Sequence, residues 1–176
     1  MAEEPETVWE GKFIAVTRCG RWEYVSRTRG VSAAVILAVD GRHVILVEQH
    51  RVPLGGPCLE LPAGLIGDEE EGEEAQTAAI RELEEETGYR AERMVELGRF
   101  HASPGMSSEG FTLLRAEGLT KVGEGGGVEG EDIVVHRVPL EEVSAFVAAK
   151  RAEGCAIDVK MLLLLAPSLL AAACGR

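Results

Sequence analysis

The sequence predicts an α+β fold in which a mixed β-sheet packs against helices. Short apolar runs rich in β-branched residues recur between glycine and proline turns, whereas helix-like periodicity is confined to a few segments. The two kinds of segment do not alternate regularly, which argues against a parallel βαβ fold. With 176 residues, 45% of them hydrophobic, the chain can bury the core of one domain without disulfide bonds.

The N-terminal segment, residues 1–30, is predicted to contain an antiparallel hairpin. Polar and apolar residues partly alternate in residues 8–18 and again in residues 21–27, and Cys19-Gly20 separates the two runs. Residues 31–176 are predicted to form the main domain, because no linker interrupts them.

The main domain begins with predicted strands at residues 31–39 and 43–49. Asp40-Gly41 between them favours a tight turn, so we expect two central antiparallel strands. Further strands are predicted at residues 58–61, 94–101, 111–116 and 132–138, with loops at residues 65–72 and 123–130. Helices are predicted at residues 73–87, 140–152 and 159–172, and Gly88 is placed to cap the first in a left-handed conformation.

The overall charge narrows the range of partners. A formal net charge of −12 argues against binding to nucleic acid, since a polyanion would be repelled. A small phosphorylated ligand remains compatible with this charge if cations accompany it. The four cysteines lack the spacing and the neighbouring histidines of a zinc site, so we expect reduced thiols.

No targeting or membrane segment is expected. The first ten residues are acidic and lack the apolar centre of a signal peptide. The longest apolar tract, residues 161–174, contains Pro167 and is too short to cross a bilayer. The sequence therefore favours a soluble cytoplasmic protein that does not contact membranes.

Acidic residues are concentrated in residues 68–86, which hold ten of the 30 in the chain. On a helix, Glu82, Glu85 and Glu86 would share one face near the C-terminal end, where the helix dipole disfavours anions. Each like-charged pair costs roughly 0.2 to 0.5 kcal/mol. Mg²⁺ would turn this repulsion into binding, because it takes a few carboxylates and completes its shell with water and substrate phosphates. The pattern indicates phosphoryl chemistry, although a glutamate run alone is typical of a solvated helix surface.

The residues around this cluster resemble the signature of the Nudix hydrolase family. That signature is G-x5-E-x7-R-E-U-x-E-E-x-G-U, in which U is a bulky apolar residue. Gly67, Glu73 and the nine residues 81–89 occupy its fixed positions. Related sequences usually take the first glycine from a Pro-Ala-Gly turn, which ends here at Gly64. Either Gly67 fills that position or three residues are inserted between Gly64 and the helix.

The resemblance implies that the mixed sheet is sandwiched between helices as α/β/α, and it assigns roles to the signature residues. Two or three Mg²⁺ ions would be bound, and Mn²⁺ is an alternative metal. The candidate metal ligands are the Ala63 carbonyl and the carboxylates of Glu82, Glu85, Glu86 and Glu131. The candidate structural residues are Gly67, Glu73, Arg81 and Gly88, with Glu73 paired to Arg81.

Fragments outside the signature resemble the ADP-ribose pyrophosphatase branch of that family. These are Trp22-Glu23, Gln49-His50-Arg51, Leu61-Pro62-Ala63-Gly64, Ser103-Pro104-Gly105, Ser108-Glu109 and residues 129–133. The resemblance implies that Trp22 stacks on adenine and that Arg27 and Arg51 bind the diphosphate. Met106 and Glu109 would complete the substrate site. The alternatives are a core or interface tryptophan and surface arginines.

The glycine-rich loop at residues 123–130 is expected to lie over the metal site. By the same resemblance, Glu131 completes the metal shell and Glu129 acts as the general base, with Glu82 as the other candidate base. Glycines would let such a loop close over bound substrate. The alternative is an acidic surface loop without a catalytic role.

The expected function is Mg²⁺-dependent hydrolysis of a nucleoside diphosphate sugar, with ADP-ribose giving AMP and ribose 5-phosphate. The alternatives are another nucleotide sugar such as GDP-mannose, and a non-catalytic sensor that binds a nucleotide sugar without cleaving it. Members of this branch are generally dimers in which the N-terminal segment contributes to the partner's site. The resemblance therefore implies a homodimer with residues 1–30 at its interface.

Overall fold

A computed structural model of the chain describes residues 4–28, 31–66, 74–128 and 130–173. The strands are β1 Glu6–Glu10, β2 Ile14–Cys19, β3 Trp22–Arg27, β4 Ser32–Asp40, β5 His43–Arg51, β6 Gly56–Glu60, β7 Ala63–Ile66, β8 Tyr89–Arg90, β9 Arg93–His101, β10 Gly110–Glu117, β11 Thr120–Lys121, β12 Val134–Pro139 and β13 Ala156–Ile157. The α-helices are α1 Ala75–Thr87, α2 Val143–Ala152 and α3 Leu162–Ala173.

The N-terminal segment forms an antiparallel sheet of three strands, one more than the predicted hairpin. The predicted pair corresponds to β2 and β3, whose turn is Gly20-Arg21, one residue later than the predicted Cys19-Gly20. The run at residues 8–18 divides at Gly11, whose N–H donates to the Ile14 carbonyl at 2.8 Å, and β1 folds back along β2. A Cβ at Gly11 would lie 2.5 Å from the exposed ring of Trp9, so a larger residue there would require this ring to move.

The main sheet is mixed, as the sequence predicts. Its order is β13-β6-β5-β4-β10-β9, with β12 also paired to β5 and β7 paired to β4. The β4–β10 and β6–β13 pairs are parallel, and the others are antiparallel.

The two central strands diverge soon after their turn. The predicted antiparallel pairing of β4 with β5 holds at Val39 with Val44 and at Asp40 with His43. Farther from the turn, β4 pairs with β7 and β10, whereas β5 pairs with β6 and β12. The sheet therefore consists of two halves joined at the turn and open at the other end. We call β7, β4, β10 and β9 the first half-sheet, and β12, β5, β6 and β13 the second.

Helices cover both faces of the sheet, in agreement with the α/β/α expectation. Alternate residues of β4 point to opposite faces, since side chains alternate along a strand. Ala34 and Ile36 pack with Leu83 of α1, whereas Val35 packs with Val147 of α2. Leu165 of α3 belongs to the same hydrophobic core as Val35 and Val147.

Some boundaries differ from those predicted. Residues 63–66, whose last two were expected to be loop, form β7, because their backbone pairs with residues 32–35 of β4. Helix α1 begins at Ala75, and Glu73 and Gly67 lie outside the described residues. The last two predicted helices are confirmed, each preceded by a single 3₁₀ turn, at Leu140–Glu142 and Val159–Met161. Within the described ranges, no helix is both long enough and apolar enough to span a bilayer.

Candidate active site

A cavity of about 380 Å³ lies at the open end between the two half-sheets. Residues from both central strands line it, among them Val35 of β4 and Gln49 of β5. The charged residues of its lining are Glu60, Glu82, Glu86, Glu109, Glu131, Arg27, Arg51 and Lys160. The divergence of β4 and β5 thus brings carboxylates and cations from distant parts of the chain into one space.

Helix α1 presents Glu82 and Glu86 to this cavity, one turn apart. The Pro-Ala-Gly turn and β7 lie directly against them. The Ala63 N–H donates to Glu86 Oε2 at 3.1 Å, and a Cβ at Gly64 would overlap the side chain of Glu82. The close approach of strand and helix therefore explains the glycine at residue 64. Ala63 also lines the cavity.

Glu86 is buried, with 5% of its surface exposed. Burial, together with the neighbouring charges of Glu82 and Glu131, raises the pKa of its carboxyl to about 8. The Ala63 N–H and Arg51 act in the opposite direction on this pKa. A desolvated carboxylate beside two others is stabilised by a cation, so the site favours binding a divalent metal.

The raised pKa of Glu86 predicts how stability depends on pH. A carboxyl whose pKa is higher in the folded than in the unfolded state contributes stability that is fully present below the unfolded pKa, near 4.3. That contribution is lost as pH rises through about 8. We expect metal-free protein to lose a few kcal/mol between pH 5 and 8, at up to about 1.4 kcal/mol per pH unit. Urea unfolding at several pH values measures this loss.

Glu86→Gln provides the control for this pH dependence, because glutamine does not titrate. We expect its unfolding free energy to vary less with pH over the same interval. Mg²⁺ should restore wild-type stability at pH 8, since the ion binds the folded, ionised carboxylates. Parallel pH profiles for the two proteins without metal would contradict the assignment.

Glu85, the third candidate ligand on α1, is not among the cavity-lining residues. Arg81 Nη1 donates to Glu82 Oε1 at 3.1 Å and to Glu85 Oε2 at 3.3 Å. The arginine therefore compensates part of the carboxylate charge on this face of the helix. Its predicted partner, Glu73, lies outside the described residues.

The glycine-rich loop is attached to the C-terminal end of α1. The N–H groups of Gly126 and Gly127 donate to the carbonyls of Glu86 and Glu85, at 2.9 and 3.0 Å. The Val122 N–H donates to the Gly88 carbonyl at 2.8 Å. Gly88 has the predicted left-handed cap, with φ of 70°. The loop thus satisfies carbonyl groups that the helix end leaves without helical partners.

This attachment holds Glu131 in the cavity lining. The Val128 N–H donates to Glu131 Oε2 at 3.0 Å, which fixes the side chain within its own loop. Glu129, the predicted base, lies outside the described residues. Among the described residues, no three acidic, histidine or cysteine side chains converge closely enough to enclose a metal as they stand. The donor set of Glu82, Glu86 and Glu131 nevertheless fits a hard cation, since all three are carboxylates bordering one cavity.

Both predicted arginines line the cavity, and each is held by a glutamate. Arg51 donates through Nε and Nη2 to the two carboxylate oxygens of Glu60, at 2.6 and 2.8 Å. Arg27 donates to Glu109, another predicted substrate-binding residue. The Arg51–Glu60 pair leaves Nη1 of the guanidinium for a ligand. Glu60 was missed in the sequence, although a charge within the apolar strand at residues 58–61 signals a buried partner.

Trp22 and Met106 lie outside the lining of this cavity. Trp22 borders a second cavity of about 490 Å³, together with Tyr24 and Pro104, and 57% of its surface is exposed. The carbonyl of Met106 accepts a hydrogen bond from the Val25 N–H, while its residue surface is 67% exposed. The contact between β3 and residues 103–108 therefore positions both residues at the N-terminal sheet.

Comparison with known proteins supports the resemblance. The model of the NUDIX domain matches residues 27–158. A methanol dehydrogenase activator of Bacillus methanolicus is 37% identical over 68% of this chain and 64% of its own length. An ADP-ribose pyrophosphatase of Bacillus subtilis is 36% identical over 68% of this chain and 63% of its own length. The match thus spans slightly less than two thirds of these two relatives.

Two further similarities broaden the comparison. A GDP-mannose pyrophosphatase of Cronobacter sakazakii is 34% identical over 78% of this chain and 72% of its own length. The crystal structure of an ADP compounds hydrolase superposes with a TM-score of 0.71, covering 96% of this chain and 93% of that one at 23% identity. The superposition supports the fold, and the family model covers well over half of the sequence. The chain belongs to the NUDIX family.

Proposed function

We propose that the protein is a Mg²⁺-dependent pyrophosphohydrolase of nucleoside diphosphate sugars and that ADP-ribose is its main substrate. The observation that carries this proposal is the shared cavity, in which the buried Glu86 and its neighbours Glu82 and Glu131 lie together with Arg27 and Arg51. Carboxylates that bind metal and guanidinium groups that bind phosphate are the two requirements for cleaving a diphosphate.

Different residues of the cavity would bind the metal and the diphosphate. Glu82, Glu85, Glu86, Glu131 and the Ala63 carbonyl would hold two or three Mg²⁺ ions, or Mn²⁺ in their place. When bound, the metal supplies charge neutralisation for the diphosphate and lowers the pKa of the attacking water. Arg51 and Arg27 would bind the diphosphate oxygens through charge-assisted hydrogen bonds.

Glu129, or otherwise Glu82, would accept the proton of the attacking water as general base. Attack on one phosphorus breaks the anhydride bond, and ADP-ribose then yields AMP and ribose 5-phosphate. The name of the Bacillus subtilis relative favours this substrate. The name of the Cronobacter relative favours GDP-mannose as the second candidate.

We also propose a cytoplasmic homodimer in which residues 1–30 contribute to the interface. The N-terminal sheet carries exposed apolar side chains, among them Trp9, Phe13 and Trp22. Because Trp22 does not line the cavity of its own chain, adenine stacking by this residue would take place in the site of a partner. Burial of the sheet between two copies would remove this apolar surface from water.

A substrate panel tests the proposal. ADP-ribose, GDP-mannose, NADH and nucleoside triphosphates are each incubated with and without Mg²⁺, and the nucleotide products are separated and quantified by anion-exchange chromatography. We expect turnover only with the metal, and a kcat/KM for ADP-ribose at least about tenfold above the others. A preference for GDP-mannose would establish the second candidate. Binding of a nucleotide sugar without any hydrolysis would establish a sensor instead.

A further inference from the structure

Lys160 reaches the cavity from the C-terminal part of the chain. It lies in the 3₁₀ turn that follows β13, and this strand pairs with β6 of the second half-sheet. Its ammonium lies 5.8 Å from the ring centroid of Phe111, which belongs to β10 of the first half-sheet. The side chain therefore extends across the open end between the two half-sheets, where the cavity lies.

Asp158 holds this ammonium in place. Lys160 Nζ donates to Asp158 Oδ2 at 2.7 Å, and the lysine side chain is only 17% exposed. Asp158 Oδ1 separately accepts the backbone N–H of Lys160 at 2.7 Å, which caps the 3₁₀ turn. This cap uses the backbone N–H of Lys160, so it does not depend on the charge of the lysine side chain. An ammonium has three hydrogens, and its bond to Asp158 uses one of them.

A second ion pair lies next to this one. The Asp158 N–H donates to the Leu59 carbonyl at 3.1 Å, so Asp158 is placed beside Glu60, the partner of Arg51. Two cations, one held by Glu60 of β6 and the other by Asp158 just after β13, thus border the same cavity. Holding a cation in this way lowers the entropy lost when it binds an anion.

We propose that Lys160 is a substrate-binding residue that donates to a phosphate oxygen of the diphosphate, beside Arg51. The proposal rests on the proposed function in that it assumes a diphosphate ligand in the cavity. The ammonium and the two guanidinium groups border the same cavity and would together bind the phosphate oxygens. An ion pair that merely fixes the C-terminal segment would make no such contact.

Two variants separate substrate binding from the structural ion pair. Lys160→Met keeps the apolar stem over Phe111 but removes the charge. Lys150→Met is the matched control, because Lys150 is also ion-paired, 17% exposed and 5.8 Å from a phenylalanine ring centroid, but it does not line the cavity. The first measurement is the dissociation constant of inorganic pyrophosphate with Mg²⁺, determined by calorimetry. This readout does not depend on turnover of any nucleotide sugar.

We expect Lys160→Met to weaken pyrophosphate binding about tenfold and Lys150→Met to change it no more than about twofold. Mn²⁺ binding without pyrophosphate should be equal in all three proteins. Equal losses in the two variants, no loss in Lys160→Met, or no pyrophosphate binding by wild type would each overturn the role of Lys160. If wild type binds pyrophosphate as expected but cleaves no nucleotide sugar, the proposed function fails while Lys160 is still tested.

Discussion

Glu86→Gln is expected to lower Mg²⁺-dependent turnover by about three orders of magnitude. Glu86 is the buried member of the carboxylate group, and its burial strengthens its interaction with a cation. Loss of about 4 kcal/mol of electrostatic stabilisation at the reacting centre corresponds to this change in kcat/KM. The measurement is steady-state turnover of ADP-ribose over a range of Mg²⁺ concentrations.

The substitution should leave the fold intact, because the glutamine oxygen can still accept the Ala63 N–H. Glu84→Gln is the matched control on the same helix. Glu84 accepts two hydrogen bonds from Arg90, at 2.8 Å each, and does not line the cavity. We expect its turnover to stay within about twofold of wild type. Near-normal Mg²⁺-dependent turnover in Glu86→Gln would refute the proposed metal site.

The carboxylate helix could be predicted from the sequence because its signals are local. The i, i+4 spacing of Glu82 and Glu86 places both on one face, and the left-handed cap needs only Gly88 at the end of the helix. The mixed sheet could likewise be predicted from strand-like runs that do not alternate regularly with helices. These features depend on residues within a few positions of one another.

The geometry of the cavity could not be predicted, because it depends on long-range pairing. Nothing in the sequence of β4 and β5 shows that the strands separate beyond Val39 and Val44. The strand β7 could not be predicted either, because its conformation depends on pairing with residues 32–35. Partners such as Glu60 for Arg51 become apparent only once β5 and β6 are aligned. Lys160 lacks any local signal beyond the Asp158 cap.

The position of the glycine-rich loop is a further feature that could not be predicted from the sequence. Its composition predicts a loop, and flexibility is the usual inference from several glycines. The structure explains why residue 125 is a glycine, because Gly125 packs against the backbone at the end of α1 and leaves no space for a side chain. The loop that carries Glu131 is therefore fixed to the helix that carries Glu82 and Glu86. A change at the contact should alter catalysis without touching any carboxylate.

Gly125→Ala is expected to lower kcat by about 10²-fold, the second large effect. Gly125 has φ of 72°, and a Cβ there would overlap the backbone of Thr87 and lie 2.6 Å from the Glu86 carbonyl oxygen. The loop must move away from α1, which displaces Glu131 from the cavity. A displacement of about 1 Å at a reacting centre costs on the order of 10²-fold in rate. Steady-state kinetics with ADP-ribose and Mg²⁺ measures this loss.

Gly126→Ala separates the steric contact from backbone strain. Gly126 also has a positive φ, 110°, but the nearest atom to its Cβ would be the Ile133 carbonyl oxygen at 3.8 Å. Both variants therefore strain the backbone, and only Gly125→Ala collides with α1. We expect Gly126→Ala to lose less than about tenfold in kcat, since the loop stays attached. Equal losses in the two variants would show that loop strain, rather than attachment to the helix, controls the rate.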